Sequence, residues 1–511
     1  MTSPRQCRAT LDRLPDGVAG LTYDPSQITA GIVHLGPGAF HRAHMARYVH
    51  ALMARGQAMD WGIIGAGLTP FDARVRDALA PQDWLYTLVE RDDDNATAQV
   101  VGSIVEIVAP GDTEAILDAI DRPGIRIVSL TVSENGYCLD AATRCLDHAN
   151  PLIVSDLACP RRPDSVIGLL VEACRRRRDA GRPAFTALSC DNLPGNGGLL
   201  RAAVLEFAGR VDAGLGDWIA EHARFPATMV DRITPVTAQD DIAKMDQKWG
   251  LIDAWPIICE PYSQWVVEDD FADGRPDWED VGVQFTADVA PFEQMKLRLL
   301  NASHLALASL GWLRGHRMVA EAMRDPRLAR YIRALMEKEL SPTLPADLPV
   351  DLPTYQDQLV TRFSNRTLRD TVERINTDAS INLLLDPIRD RLAAGRPIRR
   401  LALAVAAWIR RLALLDDDAL ALRHPLADEL RSLAKTGGVD QSRLLAMTEV
   451  FGDLSGNPAF VNPVHRCLCA INVIGARLRD VPLEGRTART HSEVDPPGIG
   501  LFRDHRETSL H

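Results

Sequence analysis

Over residues 1–285 the apolar positions fall in short, dense runs separated by amphipathic stretches. Gly31-Ile-Val-His-Leu35 is one such run and stops at Gly36-Pro37-Gly38. Trp61-Gly-Ile-Ile-Gly65 is another, and it too ends in Gly-x-Gly. Residues 99–107, 125–132 and 184–189 continue the series, while residues 44–55, 73–80 and 164–178 carry apolar positions at helical spacing. Buried strands alternating with helices predict a parallel sheet with right-handed crossovers.

From residue 286 the texture changes. Apolar residues recur at helical spacing through 295–313, 318–323, 327–340, 383–393, 398–415, 425–434 and 443–451, and strand-like runs nearly vanish. The pattern predicts an α/β domain over residues 1–285 and a mostly α-helical domain over 286–482. Residues 483–511, rich in Arg, Thr, His, Pro and Asp, have little to bury and read as a mobile tail.

A chain of 511 residues is long enough for two or three cores, in keeping with that division. Its 57 Lys and Arg against 69 Asp and Glu, a formal charge of −12, argue against a general nucleic-acid binder but leave room for a small anionic ligand. No segment approaches the ~20 apolar residues that span a bilayer. The nearest, residues 401–409, is closed by Arg399-Arg400 and Arg410-Arg411 and reads as a buried helix. The first residues show no apolar core of a secretory signal. Nine cysteines at irregular spacing suit free thiols in a reducing compartment, so a cytoplasmic location is expected. Cys467-x-Cys469 lacks the second pair of a zinc knuckle, and no metal site is expected.

The segment from Gly31 to His44 places a strand, a glycine turn and a helix start in that order, the context that gives a dinucleotide fingerprint its meaning. Gly36, Gly38, Ala39 and Phe40 are the cofactor-binding candidates, and the α/β half reads as Rossmann-like. His41 stands where the third glycine is usual. After the second strand no carboxylate occurs until Asp72, the candidate ribose partner, with Arg74 and Arg76 close enough to face a 2′-phosphate instead. All three could equally solvate the following helix. This segment leaves NAD against NADP undecided.

The most informative run is Pro291-Phe-Glu-Gln-Met-Lys-Leu-Arg-Leu-Leu-Asn-Ala-Ser-His304, a helix that begins with proline. On a regular helix Asn301 and His304 share a face, and Lys296 lies about 80° round from His304. Glu293 is one turn earlier. Alcohol oxidation by hydride transfer needs a base for the hydroxyl proton and donors for the oxygen. A lysine made less basic by burial, with Asn and His donors, meets both needs without zinc. Taken alone, such a lysine is more often solvated surface. A second polar cluster, Ser189-Cys-Asp-Asn192, follows a strand, where open α/β sheets place ligands. Asp231-Arg232 and Arg374 through Asp378 set charges among apolar neighbours, and either could be an ion pair that supports the fold.

Together these segments resemble the polyol-specific long-chain dehydrogenase/reductase family, the mannitol dehydrogenases and their relatives. The resemblance rests on Gly36-x-Gly38-x-Phe40-His41-Arg42-Ala43-His44, Ser189-Cys-Asp-Asn192, Met229-Val-Asp-Arg-Ile-Thr-Pro235 and Trp265-Val-Val-Glu-Asp-Asp-Phe271. It continues through Lys296-x(4)-Asn301-x-x-His304, Arg362-Phe-Ser-Asn365 and Val450-Phe-Gly-Asp453. It implies a metal-independent, commonly NAD-linked enzyme working on a polyol or keto-sugar, as a monomer or small homo-oligomer. By the same implication Lys296 is the general base or acid, and Asn192 and Asn301 hold the reacting oxygen. His304, Asp231 and Arg374 contact substrate, and Glu293 gates proton exchange. One departure stands out: the family's Asp-Gly-Ser-x-Lys is here Asp378-Ala-Ser-Ile-Asn382, so Asn382 replaces a substrate-facing lysine. Mannitol, arabinitol and sorbitol are the expected substrate type. Reduction of a hexuronate such as fructuronate or tagaturonate is the close alternative, and a non-catalytic nucleotide sensor the remote one.

Overall fold

The computed structural model describes residues 4–140, 143–415, 422–438 and 440–473, so the tail expected at 483–511 lies outside the described residues. The chain divides between Glu293 and Gln294 into two compact units.

The first unit carries β1 (Val18–Ala19), β2 (Ala30–Leu35), β3 (Gly62–Ala66), β4 (Tyr86–Arg91), β5 (Ala96–Val101) and β6 (Ile104–Val108). After these come β7 (Ile127–Leu130), β8 (Thr186–Ser189), β9 (Thr228–Asp231), β10 (Ile257–Cys259), β11 (Gln264–Glu268) and β12 (Gln284–Thr286). Its main sheet runs β6-β3-β2-β7-β8 with every pairing parallel. Ile32, Ile63, Ile127 and Leu188 enter one apolar cluster, and Val33, Ile64, Val128 and Ala187 enter another. Both faces are therefore buried, which explains why these strands read as unbroken apolar runs. The strand order reverses between β2 and β7, and the loops after those strands leave from that reversal point.

The run at 99–107, expected as a single strand, is two strands in different sheets. β5 pairs antiparallel with β4 in a sheet ordered β1-β5-β4-β10, while β6 edges the main sheet. The break falls at Gly102, where a Cβ would sit 3.0 Å from Leu21 Cδ1. Apolar character continues across it because both strands are buried, so periodicity could not show the corner. A third sheet, β12-β11-β9, pairs Gln264 with Asp231.

Among the described residues no strand follows β12. The second unit is built round the helix Arg399–Leu414, whose residues 401–409 are buried. The helices Ser303–Leu313, Ala427–Gly437 and Pro458–Val473 pack against it. Its N-terminus is capped by Glu339, which accepts from Arg400 N and Leu401 N, each at 2.9 Å. Near its other end the buried Arg411 donates to Glu373 at 2.5 Å, on the helix Val372–Asp378 that also carries Arg374. No described helix is long and apolar enough to cross a membrane.

Truncating Glu373 leaves the Arg411 charge buried without that partner. Glu373→Ala is expected to cost about 3 kcal/mol, read as a lower urea midpoint of unfolding. Adding Arg411→Met is expected to recover most of the loss; an unchanged midpoint in the single variant would remove this pair from the fold's supports.

Candidate active site

In the first unit, Gly36 follows β2 with φ +84°, and a Cβ there would lie 2.6 Å from the Thr131 carbonyl oxygen. Glycine is required at this position by the protein's own packing. Gly38 differs: its φ is −73°, and the nearest atom to a Cβ would be Gly36 O at 3.9 Å. Nothing in the fold needs glycine there, and a side chain would only fill the open space beyond the strand end. That cradle fits the close backbone approach of a pyrophosphate. The short helix Ala39–Ala43 follows, with Phe40 stacked on His44 at 4.9 Å.

Asp72 sits in a capping box at the start of the helix Pro70–Leu79. One carboxylate oxygen accepts from Leu68 N, Thr69 N and the Thr69 hydroxyl at 3.0, 2.8 and 2.8 Å. Arg76 donates to Ile107 O at 3.1 Å, and the Arg74 guanidinium lies over Phe71. All three residues thus have local structural partners.

The loop after β8 is tied down by its neighbours. Asp191 accepts from Val132 N at 3.1 Å, Ser133 N at 2.7 Å and the Tyr137 hydroxyl at 3.0 Å, joining the loops that leave β7 and β8. Burial pushes its carboxyl pKa up against the pull of those donors. Asn196 donates to Asp191 O at 3.1 Å and Thr228 O at 2.9 Å, and accepts from Thr228 N at 3.0 Å. Asn192 is exposed between these two anchors. Asp231 ends β9 and is buried. Its neighbour Arg232 forms the fold-supporting pair, bonding Glu90, Glu260 O and Ala43 O. Glu293 accepts from Gly195 N at 3.1 Å, at the N-cap of the helix Asn196–Val211, where the helix end favours its charge.

In the second unit the residues Lys296–Ala302 form a π-helical stretch. Regular turns do not apply there, so the angle expected between Lys296 and His304 on an ideal helix is superseded. One i→i+5 turn separates Lys296 from Asn301, which puts them on one face. Lys296 is only 8 % exposed, unlike a solvated surface lysine. His304 lies in the first turn of the buried helix Ser303–Leu313 and stacks on Phe363 at 4.7 Å. The motif at 362–365 therefore supplies a ring beneath His304.

Asp370 went unnoticed in the sequence. Its Oδ2 lies 3.5 Å from His304 Nε2, and its Oδ1 accepts from Arg374 Nη2 at 2.7 Å and Nε at 3.1 Å. One carboxylate thus meets two candidate substrate contacts. The signal is the spacing Asp370-x(3)-Arg374-x(3)-Asp378, which sets one acid just before the helix Val372–Asp378 and another at its end, each four residues from the arginine. Asp378 lies 3.9 Å from Arg374 and 3.2 Å from Arg423. Asn382 opens the helix Asn382–Ala393, exposed, with its N–H donating to Ser380 Oγ at 3.2 Å.

Comparison with known proteins matches residues 30–280 to the mannitol dehydrogenase Rossmann domain and residues 288–472 to the mannitol dehydrogenase C-terminal domain. D-mannonate oxidoreductase of Escherichia coli is 43% identical over 471 residues, covering 90% of this chain and 97% of its own. Mannitol 2-dehydrogenase of Pyricularia oryzae is 41% identical, covering 88% of this chain and 91% of its own. The solved structure of Pseudomonas fluorescens mannitol 2-dehydrogenase in ternary complex with NAD and D-mannitol is 42% identical. It aligns with a TM-score of 0.81 over 93% of this chain and 98% of that one. On these matches across both units, the chain belongs to the mannitol dehydrogenase family.

Proposed function

We propose that this chain is an NAD-dependent oxidoreductase that interconverts a polyol and its keto-sugar, with Lys296 as the proton-transfer residue. The observation that carries this reading is a buried lysine one π turn from Asn301, on a helix that continues directly into His304. When bound, the cofactor would supply the hydride acceptor for oxidation as NAD and the hydride donor for the reverse reaction as NADH. Gly36, Gly38, Ala39 and Phe40 would hold it, the open space at Gly38 leaving room for its pyrophosphate.

In this reading Lys296 takes the hydroxyl proton during oxidation and returns it during reduction. Asn301 and Asn192 donate hydrogen bonds to the reacting oxygen. His304, Arg374 and Asp231 bind the other hydroxyls, and Glu293 passes protons between the site and solvent. Asp370 holds His304 and Arg374 in relation to each other. A second reading, a sugar acid as substrate, is supported by the D-mannonate oxidoreductase relative.

The primary test is absorbance at 340 nm with NAD or NADP, a panel of polyols and, in the reverse direction, keto-sugars and keto-uronates. Turnover of a polyol with NAD is expected, indifferent to chelator. Lys296→Ala is expected to lower kcat on the order of 10²–10⁴-fold. A lysine variant as active as wild type would end the assignment. Turnover of keto-uronates alone would select the sugar-acid reading, and cofactor binding without turnover of any substrate would reduce the chain to a sensor.

Asp370→Asn keeps the shape but weakens the hold on both neighbours. It is expected to raise KM for the polyol about tenfold with KM for NAD unchanged; equal increases in both would argue for a general structural role. Asn382→Lys restores the family's ammonium and is expected to shift the order of preference across the panel. Unchanged selectivity would show that position 382 does not set it.

A further inference from the structure

Behind the glycine turn lies a set of buried side chains that the reading above leaves without a role. The Gly36 carbonyl accepts three hydrogen bonds: from Gly38 N at 2.7 Å, the Thr131 hydroxyl at 2.9 Å and His34 Nε2 at 3.2 Å. The one Thr131 hydroxyl proton goes to the Gly36 carbonyl, so His34 carries its proton on Nε2 and shares it between Thr131 Oγ1 at 2.9 Å and Gly36 O at 3.2 Å. Its Nδ1, 2.8 Å from Ser129 Oγ, then accepts a hydrogen bond from the serine hydroxyl. Each group in the chain Ser129–His34–Gly36–Thr131 is satisfied by this one tautomer. Burial holds the His34 pKa down to about 3, so the ring is neutral.

His41 stacks flat on His34, with ring centroids 3.4 Å apart and planes 14° apart. It is fully buried, and neither ring nitrogen has a hydrogen-bond partner among the described residues. Leaving such a ring dry costs free energy. The usual third glycine of the fingerprint serves only close packing of helix on strand. A histidine there does something glycine cannot: it presses a ring against the side chain that grips the Gly36 peptide.

A glycine at φ +84° followed by open space is the most permissive point in such a loop. Three donors on its carbonyl remove that freedom, and freedom removed before binding is not lost on binding. We propose that His34 and Thr131, backed by His41, are positioning residues for the cofactor turn, fixing the Gly36 peptide so that the turn has its binding shape before the dinucleotide arrives. The proposal rests on the NAD reading above.

The test is NADH affinity of the full chain by fluorescence titration, beside steady-state kinetics and thermal melting. His34→Phe keeps a flat ring for the stack but donates nothing; Thr131→Val removes the second donor and covers the case in which His34→Phe fails to fold. Each is expected to weaken NADH binding and raise KM for NAD about tenfold, with KM for the polyol and kcat at saturating NAD little changed. His41→Phe, which keeps the stack, is expected to bind NADH like wild type, and His41→Ala to bind it several-fold more weakly. NADH affinity within twofold of wild type in both His34→Phe and Thr131→Val would overturn the proposal. So would a parallel rise in KM for both substrates, the mark of a merely structural role. A wild-type chain that binds neither NADH nor NADPH would instead overturn the cofactor reading, and this proposal with it.

Discussion

The chemistry assigned to the second unit depends on one extra residue in a helical turn. In a regular α-helix residues five apart are turned well away from each other, so Lys296 and Asn301 could not both face one substrate atom. The π-helical stretch Lys296–Ala302 brings them onto one face. Such a turn has poorer hydrogen bonding than an α-turn and persists only where its surroundings hold it. Here the Ser303 hydroxyl donates to the Leu299 and Leu300 carbonyls, and the helix that follows is buried from Ser303 to Gly311. The apolar bulk of that helix, packed on Arg399–Leu414, fixes the π turn from its C-terminal end.

The first unit meets its need for precision by a different route. A parallel sheet buried on both faces fixes its strands, but the loops that leave it are irregular and must be held individually. Asp191 binds two amides of the loop after β7 while standing in the loop after β8. Thr131 and His34 bind the turn after β2. Gly65 makes room for this arrangement: a Cβ there would approach Pro37 Cβ to 3.1 Å. The three loops around the reversal of strand order are thus cross-tied by side chains rather than by further strands.

The strands of the main sheet and the helices of the second unit were legible because burial writes itself as periodicity. The corner at Gly102 was not, since two buried strands in succession look like one. The π turn was invisible for a related reason: Lys296, Asn301 and His304 keep ordinary helix-forming neighbours, and hydrophobic spacing does not register one added residue per turn. Asn192 stood out as polar, yet its neighbour Asp191 does the structural binding, and only the fold tells a tethered carboxylate from an exposed amide. Spacing alone leaves Lys296 among solvated surface lysines; resemblance to a family singles it out, and its burial is what the structure adds.

The charges around Arg374 weigh on the choice between a neutral and an acidic substrate. Asp370 and Asp378 oppose Arg374 and Arg423, so these four side chains sum to no net charge. In a family member with lysine at the position of Asn382, the same group would carry one positive charge more. A carboxylate leaving water for such a site needs an uncompensated cation to replace its hydration. Arg374 already has its Nε and Nη2 on Asp370, leaving only part of its fork for a ligand. Hydroxyl groups make no such demand, because they accept from a guanidinium and donate to a carboxylate in the same site. Exchanging lysine for asparagine removes a charge while keeping hydrogen-bonding capacity, a change that an uncharged polyol tolerates better than a sugar acid.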